Sequence, residues 1–266
     1  MFIQNALKVK KNIWRYALGI LIIFIFTQIG TIPFVVAIFK KVGLDGAAKI
    51  NPSSMMTVLE NNNLTFFYLL LSFFIGFIGF LIVIKFLHNQ SLKSVTTSRE
   101  STDFKRIFTS FLTISAIILL NLLFSIYLNP DEYVFQFNLD DFLILFIIAI
   151  IFIPVQTSLE EYVFRGYIMQ GLGVFVKNRW FPLILTSLGF GLLHLSNPEI
   201  DKIGNIIIIH YIVTGLFLGI ITLMDEGLEL ALGFHAGNNL LIACLLYTSD
   251  AADDSLRVDL GGRRII

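Results

Sequence analysis

Residues 142–155 read FLILFIIAIIFIPV, and the chain continues through residues 156–170 as QTSLEEYVFRGYIMQ. The first run is continuously apolar, which marks it as a helix embedded in lipid. A strand of a membrane barrel would instead alternate apolar and polar positions over about ten residues. The same unbroken character recurs in IILLNLLF at 117–124 and NIIIIHYIV at 205–213. Crossing the hydrocarbon takes about 17 to 25 such residues. Seven segments qualify, at about 13–39, 65–87, 107–128, 142–159, 181–196, 205–223 and 230–247. The expected fold is therefore all-α, a polytopic transmembrane bundle of about seven to eight spans. What requires explanation is the pair of glutamates and the arginine that follow the apolar run.

Composition agrees with a membrane protein. Of 266 residues, 56% are hydrophobic and only 14% charged, and the mean hydropathy is +0.81, well above ordinary soluble domains. The 19 basic and 19 acidic residues cancel, which leaves no electrostatic basis for a nucleic-acid partner. The first apolar run is too long for a cleavable leader and no small-residue cleavage pattern follows it.

The last residues, 244–266, read CLLYTSDAADDSLRVDLGGRRII and have no membrane logic. Both ends of this segment resemble the in-frame translation of a transposase-type sequencing adapter, so it is read as non-native. Without it the chain has no cysteine, and disulfides play no part in the argument. The division expected along the chain is 1–139, spans without motifs; 140–243, the region that carries the chemistry; and 244–266, the non-native segment.

Basic residues set the topology. Lys8, Lys10, Lys11 and Arg15 precede the first span, and Lys85, Lys93, Arg99, Lys105 and Arg106 fill the loop between the second and third. By the positive-inside rule both are cytoplasmic. Lys177 and Arg179 return the chain to the inside after the fourth span. The glutamates then sit at the cytoplasmic end of that span or one to two turns below it. A fifth span starting at Trp180 carries His194 about 20 Å up its helix. Either the fourth helix therefore continues past Glu160 within the membrane, or the fifth is strongly tilted.

An ionisable group in mid-span costs about 2.5 to 3.5 kcal/mol on insertion scales, so each needs a reason. Glu161 and Arg165 are four residues apart and share a helix face, where they can pair. Glu160 points about 100° away and is left free for chemistry. His235 and Asn239 have the same four-residue spacing and can address one ligand together. Phe190 and His194 repeat it, with an apolar ring one turn below the histidine that can keep it dry. Each feature alone also admits a plainer reading. A membrane histidine can be an interhelical hydrogen-bonding group, as we read His88 and His210, and EE beside arginine can be an interfacial charge cluster.

Taken in order, EExxxR (Glu160, Glu161, Arg165), FxxxH (Phe190, His194) and HxxxN (His235, Asn239) resemble the three signature motifs of the CPBP intramembrane proteases. This family, also called Abi, includes CAAX prenyl endopeptidases and bacteriocin-processing or bacteriocin-immunity proteins. The resemblance covers about residues 140–243, with all three motifs matched. It implies peptide-bond hydrolysis at or within the membrane, with Glu160 as base, His194 holding the same water, and His235 and Asn239 as oxyanion donors. Glu161, Arg165 and Phe190 would support these groups. It implies equally a zinc version in which Glu160, His194 and His235 are ligands. The implied partners are membrane lipid and a peptide or protein substrate, prenylated or bacteriocin-like. The implied location is a bacterial inner membrane with the N-terminus cytoplasmic. A non-catalytic immunity or peptide- or ion-binding protein using the same polar cluster is the alternative.

Overall fold

The computed structural model describes residues 2–10, 12–50, 55, 57–134, 137–197, 200, 204–246 and 264–265. It is a helical bundle, as expected. A 3-10 turn, Phe2–Lys8, leads into α1 (Ile13–Ala47). Next come α2 (Asn62–Ile82), extended by a π-helical turn Val83–Leu87, and the short α3 (Leu92–Thr96). Then follow α4 (Phe104–Leu128), α5 (Leu139–Glu161), a π-helical segment Tyr162–Ile168 and α6 (Met169–Val176). The chain closes with α7 (Trp180–Leu193), α8 (Ile206–Asp225) and α9 (Glu229–Leu246). The sole two-stranded pairing among the described residues is Tyr133–Val134 beside Arg264–Ile265, and Thr97 forms an isolated antiparallel bridge with Gly227. Residues 247–263 and 266 lie outside the described residues, and so does most of the segment read as non-native.

All seven expected segments are helical. Five helices are long and apolar enough to cross a membrane: Ile13–Ala47, Asn62–Leu87, Phe104–Leu128, Leu139–Val176 and Ile206–Asp225. The remaining two are α7, shorter at 14 residues, and α9, which carries the polar HxxxN residues. The bounds of the fourth span differ from expectation. It does not stop at residue 159 but runs 38 residues from Leu139 to Val176, so Glu160 lies near its middle. The charges there read as a helix end because an exposed carboxylate seeks water. Paired inside the bundle, they need none. The helix continues past Glu160, as in the first of the two arrangements considered above.

Caps start several helices. Asn61 accepts from the Leu64 N–H, Asp103 from those of Lys105 and Arg106, and Asn138 from those of Asp140 and Asp141, each satisfying backbone donors that a first helical turn leaves open. Packing runs α1 on α2, α2 on α5, α5 on α9 and α9 on α4, with α7 paired to α8. The main apolar core gathers Phe80, Val83, Leu159, Tyr162, Met169, Leu183, Leu228 and Leu232.

Two features fix α9. Its glycines at 233 and 237 lie against the backbone of α4. A Cβ on Gly233 would overlap the Ile107 carbonyl oxygen, and one on Gly237 would come within 2.7 Å of the Phe111 carbonyl oxygen. This is the close approach that small residues four apart permit in membranes. The start of α9 is clamped by loop 96–103. Leu228 N–H donates to the Thr96 carbonyl at 2.7 Å and Ser98 N–H to the Glu226 carbonyl at 3.0 Å. Glu229, fully buried in the first turn, accepts from Arg99 Nη1 at 3.2 Å and from the Asp103 N–H at 3.3 Å. A carboxylate there also opposes the positive end of the helix dipole.

Candidate active site

Glu160 and Glu161 are the last residues of α5, and Arg165 lies in the wider turns that follow. Such π-helical turns are rare and occur often at functional sites. Arg165 Nη1 donates to Glu161 Oε1 at 2.9 Å and Nη2 to the Gly215 carbonyl of α8 at 3.2 Å. Its guanidinium lies 4.5 Å over the Phe190 ring. Both charged side chains are 0% exposed. Burial rules out the interfacial-cluster reading, because an ion pair taken out of water persists only with this kind of supplementary bonding.

His235 stands between the two glutamates. Its Nδ1 donates to Glu161 Oε1 at 2.8 Å, sharing that oxygen with Arg165, and its Nε2 faces Glu160 Oε2 at 3.6 Å. The two carboxylates do diverge around α5, yet they converge on opposite nitrogens of one ring. Glu160 is not isolated on its other oxygen. Oε1 accepts from Gln156 Nε2 at 2.5 Å, and Gln156 Oε1 accepts from Asn239 Nδ2 at 3.3 Å. Asn239 Oδ1 in turn accepts from Asn238 Nδ2 at 3.1 Å. The structure thus gathers Glu160, Glu161, Arg165, His235 and Asn239 into one polar network of two hydrogen-bonded groups, Arg165–Glu161–His235 and Glu160 through to Asn239, brought together at the 3.6 Å approach of His235 to Glu160. Gln156, absent from the motifs, belongs to it as well.

His194 stands apart from this network. It follows the last residue of α7, its Nδ1 donates to the Phe190 carbonyl at 2.7 Å, and its ring stacks on Tyr211 of α8 with centroids 4.0 Å apart. No hydrogen bond or ion pair among the described residues joins it to Glu160 or His235. Phe190 connects the two halves: its ring centroid lies 4.6 Å from that of His194 and 6.0 Å from that of His235. With Nδ1 engaged, Nε2 is the nitrogen left to act.

Zinc was a possible occupant of Glu160, His194 and His235. Among the described residues no three His, Cys, Asp or Glu side chains are gathered closely enough to hold a metal ion. As arranged, these three do not form a ligand set, and no step below runs through a metal.

Sequence spacing located five of the network's polar groups, the separate His194 and the Phe190 bridge, but missed Gln156 and Tyr211. Gln156 had a usable signal, since it is an amide one helical turn before Glu160 at the end of an apolar run. Tyr211 had none, because its partner His194 lies on another helix.

Residues 139–241 match the family described as type II CAAX prenyl endopeptidase Rce1-like. A Bacillus subtilis (strain 168) protein bearing the name Uncharacterized protein YyaK is 28% identical over 252 residues, an alignment covering 89% of this chain and 79% of that protein. No solved structure matches. Residues 139–241 contain the whole network described above, so it is this region of the chain that is similar to the CAAX-type prenyl endopeptidases.

Proposed function

We propose that the protein is an intramembrane endopeptidase in which Glu160 activates water to cleave a CAAX-type, membrane-associated peptide. The observation that carries this reading is the partly buried cluster of a carboxylate, an imidazole and two amides across the α5–α9 contact. Glu160 Oε2 takes a proton from water as the oxygen attacks the scissile carbonyl. His235, carrying a proton on both ring nitrogens between the two carboxylates, donates from Nε2 to the oxyanion that forms, and so does the remaining Asn239 N–H. The proton on Glu160 then passes to the departing amine, and the carbonyl re-forms with release of both fragments. His194 Nε2 holds the attacking water, closing on it with substrate, since catalytic hydrogen bonds are commonly long before then. Glu161 and Arg165 keep His235 turned so that Nε2 faces the reacting atoms.

The basic loops around Lys10, Lys93 and Lys177 support a cytoplasmic N-terminus, and the Bacillus relative supports a bacterial plasma membrane. A prenylated peptide is the substrate class that the family match suggests. Maturation of a bacteriocin-like peptide is the other substrate class we retain from the motifs. The test uses purified chain in detergent and a quenched fluorescent peptide ending in a farnesylated CAAX sequence. Glu160→Gln should lower turnover about 10²- to 10⁴-fold, the range for removing a general base, with folding retained. Cleavage by that variant at close to the wild-type rate would defeat the proposal and leave a binding role for the cluster.

A further inference from the structure

The amide of Gln156 bridges Glu160 and Asn239, and neither motif nor mechanism has used it. We infer that Gln156 is a positioning residue that sets which oxygen of Glu160 reacts and which way Asn239 presents its amide. The inference rests on Glu160 being the base.

The direction of the hydrogen bonds carries the argument. An ionised carboxylate can only accept, so the group of Gln156 that meets Glu160 Oε1 at 2.5 Å must be its NH₂. That turns the Gln156 carbonyl oxygen toward α9, where a donor is required. Asn239 therefore presents Nδ2, at 3.3 Å, because its own oxygen there would place two acceptors face to face. Asn238 fixes the other side by donating to Asn239 Oδ1. One Asn239 N–H remains, the donor assigned above to the oxyanion. On Glu160, Oε1 is taken and Oε2 has no hydrogen-bond partner among the described residues, so Oε2 is the oxygen on the His235 side that handles the proton. A single glutamine thus passes the polarity of a carboxylate on one helix to an oxyanion donor on another. Gln156 lies four residues before Glu160 on the same face, which makes the link short.

A merely structural role would be interhelical adhesion, in which loss of Gln156 lowers the amount of folded protein and leaves turnover per folded molecule alone. The experiment measures kcat and KM of the full chain with the farnesylated CAAX peptide, each normalised to the monodisperse fraction, for wild type, Gln156→Leu, Gln156→Glu, Asn239→Ala, the Gln156→Leu/Asn239→Ala double variant and Glu160→Gln. Gln156→Leu should lose at least about tenfold in kcat with KM within about twofold, the pattern of a group that matters in the transition state alone. Gln156→Glu, which offers acceptors on both sides, should lose at least as much. The double variant should fall no more than about threefold below the worse single variant, since groups acting as one unit are not additive. Normal kcat in Gln156→Leu, or losses that multiply in the double variant, would overturn the inference. If wild type cleaves, Glu160→Gln is dead and Gln156→Leu is normal, this inference alone fails. If wild type does not cleave, or Glu160→Gln remains active, the protease reading fails and this inference with it.

Discussion

Replacing Arg165 with methionine keeps the length of the side chain and removes its charge. Glu161 would be left fully buried with its bond to His235 but without the cation at 2.9 Å. The Gly215 carbonyl would lose a donor, and the Phe190 ring would lose the guanidinium above it. Breaking a buried pair from one side costs about 3 to 5 kcal/mol because an uncompensated charge remains. At about 2 to 4 °C per kcal/mol for a chain of this size class, the unfolding midpoint in detergent should fall by roughly 6 to 20 °C. The double variant Glu161→Gln/Arg165→Met removes both charges and should recover most of that loss, since swapping a buried pair for neutral groups is often close to neutral. It should not recover cleavage, because His235 then has an amide where it had a carboxylate to hold Nδ1. The assay is the temperature at which half the protein loses monodispersity, followed by tryptophan fluorescence. A single variant melting within about 2 °C of wild type would refute the reasoning, since only a solvated surface pair is worth so little.

Other perturbations probe separate parts of the structure. Gly233→Leu drives a side chain into the Ile107 carbonyl and should destabilise by about 1 to 3 kcal/mol or more through overpacking, read as a lower melting midpoint and a lower kcat together. Chelation should leave cleavage unchanged and zinc content should be far below one per chain, since the three candidate ligands do not converge; loss of activity restored by zinc would count against the arrangement. His88 donates from Nδ1 to the Lys10 carbonyl at 2.8 Å and bonds Tyr167 Oη through Nε2 at 2.6 Å, and burial holds its imidazole below the ordinary value. A neutral buried histidine favours the fold above the unfolded-state value of about 6.5 and loses that advantage as pH falls further. Wild type should therefore lose more melting temperature between pH 7.5 and 5.5 than His88→Phe; equal losses would show that another group governs acid sensitivity.

Helix number and the core of the site were legible because lipid imposes strict rules. Continuous apolar runs gave the spans, and four-residue spacing correctly paired Glu161 with Arg165 and set His235 with Asn239 on one face. The rest depends on which helices touch. His235 meets both glutamates only because α9 packs on α5, and no spacing within either helix reveals that. The end of the fourth span was misplaced because paired charges are indistinguishable from solvated ones in sequence. His88 was rightly read as structural, and its partners on α1 and the π-helical segment are distant in sequence. The glycines at 233 and 237 flank His235 in GFHAG, yet their use for a backbone-level contact appears only once α4 is in place.

That contact has a mechanical meaning. Most of α4 faces outward, with only 6% of its apolar window buried, and its chief grip on the bundle is α9. Where two helices meet through side chains, small displacements are absorbed by rotamer changes. At Gly233 and Gly237 there is no side chain to yield, so a shift of α4 becomes a shift of α9. The helix with the least buried apolar surface is thus rigidly geared to the helix bearing His235 and Asn239, and a displacement of α4 is passed to the groups proposed to react through a joint with no slack.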